Sequence, residues 1–359
     1  MASLVCYKRL PRCGADRRVS GARRLSAYWL PYFFLGLLLA GGILPGAGSA
    51  IAALLLLIAL FLLGDWLFGS ARPLPAARLP QALYRLLPRL CVPLLIAAIL
   101  WTAAIAARPV TDGWHFAGLV LATGAGSGIF GMLSAHELIH SRSRFDRRLG
   151  LAMLIVTSYP QFRIAHLHGH HRHAATPLDA ATARAGEGAY RFVLRSVTGQ
   201  FRFAWTHERR RAGRRGNRLL AALGAVVLLY VALGLAFGLR ADFFTALQSL
   251  LAIFILELFN YVAHYGLARR RQADGRYEPL GPQHSWNTLR RFSNWALLNA
   301  GGHREHHAAP TRPFTDIAPA AGGPELPAGF AGCILLALLP PLWHRVMQRR
   351  LGMPASTWT

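Results

Sequence analysis

Cysteine is scarce: Cys6, Cys13, Cys91 and Cys333 are spread over 359 residues, and no two stand at C-x-x-C spacing. A disulfide-stapled scaffold is thereby excluded. Lysine is scarcer still, with Lys8 alone. Acids are few as well: 15 Asp and Glu face 40 Lys and Arg, for a net charge of +25. Against these shortages, 53% of the residues are hydrophobic and the mean hydropathy is +0.31. Disordered chains are poor in apolar residues, so disorder is excluded. A soluble nucleic-acid binder would account for the charge and leave the hydropathy unexplained. An integral membrane protein with basic loops accounts for both.

Crossing a bilayer takes roughly 17–25 apolar residues. Six stretches qualify, near 27–47, 50–69, 90–107, 114–135, 219–238 and 243–265. The expected fold is an all-α membrane protein with six transmembrane helices. The first stretch is too long for a cleavable signal peptide, and a second apolar run follows it directly. The Gly-rich stretch from Gly124 to Gly131 suits close helix–helix approach in a membrane. A seventh run, from Phe330 to Trp343, contains Pro340-Pro341 and reads as interfacial or partly re-entrant. Orientation follows from counting arginines. The N-terminal segment from Lys8 to Arg24, the connection holding Arg72, Arg78, Arg85 and Arg89, and the region from Arg142 to Arg218 are basic. The connections around Ser49, Arg108–Asp112 and Arg240–Asp242 are short and carry almost no charge. Alternate loops are thus basic, which expects both termini in the cytoplasm of a multi-pass protein of the bacterial inner membrane. The chain divides into a basic cytoplasmic segment 1–26, a six-helix membrane domain 27–320 and a C-terminal interfacial segment 321–359.

Twelve of fifteen histidines fall in four groups: His136 and His140; His166, His168, His170, His171 and His173; His264 and His284; His303, His306 and His307. Under that topology every group lies on the cytoplasmic side, an agreement not built in, because histidines played no part in setting the spans. Residues three or four apart share a helix face, so His136 and His140 point one way. His166, His170 and His171, and likewise His303, His306 and His307, repeat that spacing with an extra ligand. Neutral imidazole suits Fe, Zn, Cu or Ni, and the number of rings suits two ions better than one. Isolated histidines such as His115, His207 and His344 read as ordinary polar residues. His136-Glu137-Leu138-Ile139-His140 also matches the H-E-x-x-H zinc protease pattern, with Glu137 as general base. One zinc would leave the other histidine groups unexplained. A metal sensor or transporter is a further alternative, although transport sites usually sit near the bilayer midplane.

The boxes together carry a resemblance. H-E-L-I-H at 136–140, H-L-H-G-H-H at 166–171 with A-A-T-P-L-D at 174–179, G-E-G-A-Y-R-F at 186–192, N-Y-V-A-H-Y-G-L at 260–267, D-G-R-Y-E at 274–278, H-S-W-N at 284–287 and H-R-E-H-H-A-A-P-T-R at 303–312 span most of Ser134 to Asp316. They resemble the integral-membrane non-haem diiron alkane monooxygenases, within the membrane fatty acid desaturase superfamily. The resemblance implies a cytoplasmic histidine-rich diiron cap. Carried over residue by residue, the iron ligands would be His136, His140, His166, His170, His171, His264, His303, His306 and His307. His168, His173 and His284 stand outside that set, and no catalytic residue beyond the metal centre is implied.

The implied reaction is alkane 1-monooxygenase-like hydroxylation of a terminal or methyl C–H bond, with O2 as co-substrate and two Fe ions as cofactor. Electrons would come from a rubredoxin or ferredoxin-type donor and its reductase. No such carrier is encoded here, since a rubredoxin needs paired C-x-x-C motifs. The partners implied are an apolar small molecule, membrane lipid and that donor, with no nucleic acid. Xylene-monooxygenase-like chemistry and a fatty-acyl hydroxylase or desaturase are the neighbouring alternatives, an intramembrane zinc metalloprotease the distant one. The chain departs from the family where Ala165 and Ala263 replace glutamates beside ligand histidines and Ser141 replaces a lysine. Carboxylates there typically orient ligands. Glu257, two turns before His264, is expected to take over that role; the alternative is pairing with another helix. Asp65, near the end of the second stretch, carries the same ambiguity. Tyr190, Leu194, Val197, Phe201 and Trp205 form a helical apolar stripe beside Arg191, Arg195, Arg202, Arg209 and Arg210, suited to anionic lipid or to an acidic redox protein.

Overall fold

A computed structural model describes residues 27–70, 81–212, 216–317 and 323–352. Lys8 to Arg24, Arg72 and Arg78, the 26/27 and 320/321 boundaries and the last seven residues fall outside them. The described chain is helical, and its only β pairing is three isolated bridges.

Three helical hairpins form the core. The first joins α1 (Leu30–Ile43) to α2 (Ala47–Phe68) through Leu44-Pro45-Gly46. Gly46 sits at φ 87°, where a side chain would be strained. The turn falls a few residues before the connection expected around Ser49, whose hydroxyl bonds Gly41 O across it. The second hairpin joins α3 (Gln81–Ala106) to α4 (Gly113–Ile139). The third joins α8 (Arg218–Phe237) to α9 (Leu239–His264) through Gly238 at φ 83°. Between the second and third lie α5 (Arg144–Val156), α6 (161–173) and α7 (Ala189–Ala212). After α9 come the short helices α10 (Arg291–Ala296), α11 (His303–Ala308), α12 (Phe330–Ala337) and α13 (Pro340–Leu351).

Among the described residues, five helices are long and apolar enough to cross a membrane: α2, α3 from Tyr84, α4, α8 and α9. The first of the six expected spans forms only α1, of 14 residues. At 1.5 Å per residue that is about 21 Å, short of a ~30 Å hydrocarbon core. The count is therefore five helices of spanning length and a sixth, shorter one. The seventh apolar run splits at Leu339, before Pro340, into α12 and α13. Neither is long enough to span, and α12 packs on α2 and α9.

The three tight turns gather at one end. Arg240 donates to Thr111 O, Phe116 stacks on Phe243 at 5.9 Å, and Gly118 lies against Ala47 and Gly46. The other helix ends meet at the opposite pole, where Asp65 at the end of α2 accepts the Ser293 N–H and hydroxyl at 2.9 and 2.7 Å. Asp65 is thereby a cap for α10, a structural role. In the core α4 and α9 approach closely through small residues. A Cβ on Gly128 would lie 2.8 Å from Ile255 Cβ, and one on Gly124 would lie 3.1 Å from Gln248 O.

Candidate metal centre

All nine histidines named by the resemblance converge at the pole opposite the tight turns. They form two adjoining groups. His136, His140, His166, His171 and His306 make one; His170, His264, His303 and His307 make the other, and within each the ligand atoms lie within 4.8 Å of one another. The His171 and His307 rings, one from each group, are 4.7 Å apart.

Local winding decides which ring joins which group. His136 and His140 end α4 on one face, as their spacing requires. In α6 the backbone is wound as a π-helix over Ala165–His170. A π turn closes on the fifth residue, so His166 and His171 share a group while His170, four residues from His166, faces the other. The expectation that His166 and His170 point the same way is corrected by that one widened turn. In α11, His303 and His307 share a group at ordinary helical spacing, and His306 turns to its neighbour.

The ring nitrogens are set as ligands are. His140, His166 and His171 Nε2 form a triangle with sides of 3.0, 3.0 and 3.1 Å. His307 Nε2 lies 3.1 Å from those of His170 and His303 and 3.3 Å from that of His264, and His264 and His303 are 2.8 Å apart. Imidazole nitrogens about 2.0–2.1 Å from one metal, at right angles, stand about 3 Å apart. A ring N–H points in a single direction, so three mutually facing nitrogens cannot satisfy one another, whereas a central cation satisfies all three. His306 Nε2 is buried without a hydrogen-bond partner, as a ligand atom would be in the absence of its ion. Burial first, then mutual repulsion of the rings, holds His140, His166, His171, His303, His306 and His307 well below the usual imidazole pKa. The rings are therefore neutral, the form that binds metal. The donor set fits two imidazole-ligated transition-metal ions.

Asp179 is the residue the sequence reading missed. Its carboxylate lies 2.8 Å from His170 Nδ1 and is fixed by the Thr182 hydroxyl at 2.7 Å and the Ala181 N–H at 3.1 Å. Burial acts to raise its pKa, yet His170 and these hydrogen bonds hold it below the usual carboxylate range. The signal was present in A-A-T-P-L-D, but nothing in a loop spacing says which ring it meets. His264 Nδ1 faces the Ser285 hydroxyl at 3.4 Å.

Glu257 does not orient His264. Its Oε1 accepts from Tyr159 Oη at 3.0 Å, Gln200 Nε2 at 2.9 Å and Asn260 Nδ2 at 3.3 Å, tying α9 to α7 and to the segment before α6. Glu137 is not placed as a protease base either: Oε1 accepts the Phe314 N–H at 3.1 Å, and His136 and His140 belong to a five-histidine group. Ser141, where the family has lysine, donates to Asp146 at 2.6 Å, which also holds Arg89 through two hydrogen bonds. His168 stacks on His207 at 4.7 Å, outside both groups. His284 is held by Glu278 at 3.1 Å and by the Gly281 N–H. On α7, Tyr190, Leu194 and Phe201 of the expected stripe are exposed, whereas Val197 and Trp205 are partly buried against the core. Arg195 departs from that face, because it turns inward to bind both Glu187 oxygens at 2.7 Å.

An apolar cavity abuts the histidines. His136, His166, His303 and His306 line one end of it. Leu133 and Ile129 of α4, Leu256 and Phe259 of α9, and Phe330 of α12 are among its apolar walls, and Glu137, Asn260 and Asn299 add polar groups to the lining. Ala263, at a family glutamate position, contributes a methyl group to its wall. Leu256 lies two turns from Ala263 on the same face of α9, about 10 Å deeper between the spans.

Residues 112–332 match the fatty acid desaturase family. The chain is 37% identical over 322 residues to alkane 1-monooxygenase 1 of Pseudomonas aeruginosa, covering 85% of this chain and 84% of that protein. It is 37% identical over 275 residues to an alkane 1-monooxygenase of Pseudomonas putida, covering 75% and 68%. The hydroxylase component of a xylene/toluene monooxygenase of Pseudomonas putida is more distant, at 29% over 248 residues, covering 67% and 65%.

Proposed function

The chain belongs to the fatty acid desaturase family, alongside the alkane 1-monooxygenases, and from that premise we propose that it hydroxylates a terminal or methyl C–H bond of an apolar substrate. The observation that carries this reading is the meeting of two adjoining histidine groups with the end of an apolar cavity. His136, His140, His166, His171 and His306 hold one iron, and His170, His264, His303 and His307 hold the other.

A hydrocarbon offers no acidic proton and no dipole, so side-chain acid–base chemistry has no purchase on it. Two bound irons supply the dioxygen activation that breaks such a bond. The chain supplies position and dryness. Leu133, Leu256, Phe259 and Phe330 take the substrate out of the bilayer and exclude water from its reacting end. Asp179 fixes the His170 tautomer so that Nε2 faces its group. Glu137, bonded to the Phe314 N–H, holds the end of α4 against the segment after α11, which keeps His136 and His306 in register.

The reaction consumes a pair of electrons, and the donor is a rubredoxin or ferredoxin-type protein with its reductase, acting at the cytoplasmic face of the inner membrane, where both termini lie. Arg191, Arg202, Arg209 and Arg210 are exposed on α7, a face that suits an acidic partner or anionic lipid.

Membranes carrying the protein, supplied with rubredoxin, its reductase and 18O2, test the reading on a panel of alkanes, fatty esters and methylarenes. One labelled oxygen in a terminal alcohol is the expected result. Labelled benzylic alcohols alone move the substrate class to methylarenes. No labelled product from iron-loaded, reduced protein rejects the function.

A further inference from the structure

Tyr159 and Glu257 are buried together and take no part in the mechanism above. Tyr159 is fully buried in the turn between α5 and α6, where Ser158 at φ 54° sets the chain direction. Its hydroxyl donates to Glu257 Oε1 at 3.0 Å. Gln200 and Asn260 donate to the same oxygen, while Glu257 Oε2 is buried with no partner. A carboxyl group in an apolar span is costly, and packing alone would be served as well by an amide. From the Tyr159 ring an aromatic stack leads to the histidines. Phe162 lies 5.9 Å from Tyr159 at 23°, and 4.8 Å from His166 at 20°.

We infer that Tyr159 is a redox-active tyrosine that discharges the metal centre when it has been oxidised by dioxygen and no substrate is in the cavity. The inference rests on the iron-dependent reading above. In the step, Tyr159 loses one electron, which passes by way of Phe162 and His166 to the oxidised centre and reduces it by one electron. The phenolic proton moves along the existing hydrogen bond to Glu257. A neutral tyrosyl radical and a protonated Glu257 result. One electron from the external donor and return of the Glu257 proton restore both. The arrangement directs oxidising equivalents away from the nine imidazoles, the oxidisable groups closest to the centre.

The test uses the full chain in membranes, iron-loaded, reduced, and mixed with dioxygen without substrate, then frozen for electron paramagnetic resonance. A tyrosyl signal is expected that narrows when tyrosine is ring-deuterated, is lost in Tyr159→Phe and is weakened in Glu257→Gln, where Gln still accepts the hydrogen bond but takes up no proton. Tyr159→Phe is also expected to shorten the half-life of the enzyme during substrate-free exposure to dioxygen and reductant, while product per iron at saturating substrate stays unchanged. Absence of a tyrosyl signal in the wild-type chain, or its persistence in Tyr159→Phe, overturns the inference. Iron content and product formation, measured on the same preparation, separate the two readings. A chain that binds no iron and makes no product ends both, and a working hydroxylase without the radical ends this one alone.

Discussion

Asp179 and Glu257 are both buried carboxylates joined to polar partners, and only Asp179 touches a candidate ligand. Orienting partners of metal-binding histidines typically contribute about 10–100-fold in affinity or activity. Asp179→Asn is therefore expected to lower iron per chain or turnover per iron by about that factor. Glu257→Gln is expected to leave iron per chain and turnover per iron unchanged, since its amide oxygen still accepts from Tyr159 and Gln200 and it touches no candidate ligand. Elemental analysis and turnover assays of both purified variants check the pair. Equal iron per chain and equal turnover per iron in Asp179→Asn and the wild-type chain would deny Asp179 its role. Residue identities were legible from the boxes: all nine histidines stand together. The partner of each was not. Glu257 lies on the His264 helix at a spacing that suggested contact, yet Tyr159 and Gln200, distant in sequence, claim it. Which oxygen meets which ring depends on how α7 and the segment before α6 pack, and spacing along one helix carries no such information.

At the scale of elements, five of the six expected spans were legible because a bilayer demands length and apolarity, while the first stretch forms only the 14-residue α1. The glycines from Gly124 to Gly131 also read correctly, since Gly124 and Gly128 lie against α9. The π turn in α6 was hidden. It leaves composition and hydropathy untouched and shifts only the facing of His170 and His171. The α1–α2 turn came a few residues early because Pro45-Gly46 ends the helix before the apolar run ends. The α9 face from Ala263 to Leu256 gives the cavity its depth, about 10 Å. Leu256→Ala, which removes bulk at the far end, is expected to shift the ratio of products toward longer or bulkier substrates while iron per chain stays constant. Competition assays with paired short and long alkanes read that ratio. An unchanged ratio would place the limit on substrate length elsewhere.

For the whole molecule, three hairpins put their tight turns at one pole and the nine histidines at the other. Arginine counting assigns the turn pole to the periplasm. Reporter fusions after residues 110 and 241 should read periplasmic, and fusions after 80 and 215 cytoplasmic. A cytoplasmic reading at 241 would invert α8 and α9 and contradict the arrangement. The same polarity gathers five histidines into one group and four into the other, which leads to the central claim of a two-iron centre. Metal analysis of the purified chain, with iron and zinc counted per polypeptide, tests it most directly. Two irons per chain, with loss of at least one in His306→Ala and in His303→Ala, is the result this account predicts. One zinc per chain, no iron and no response to His303→Ala would contradict it.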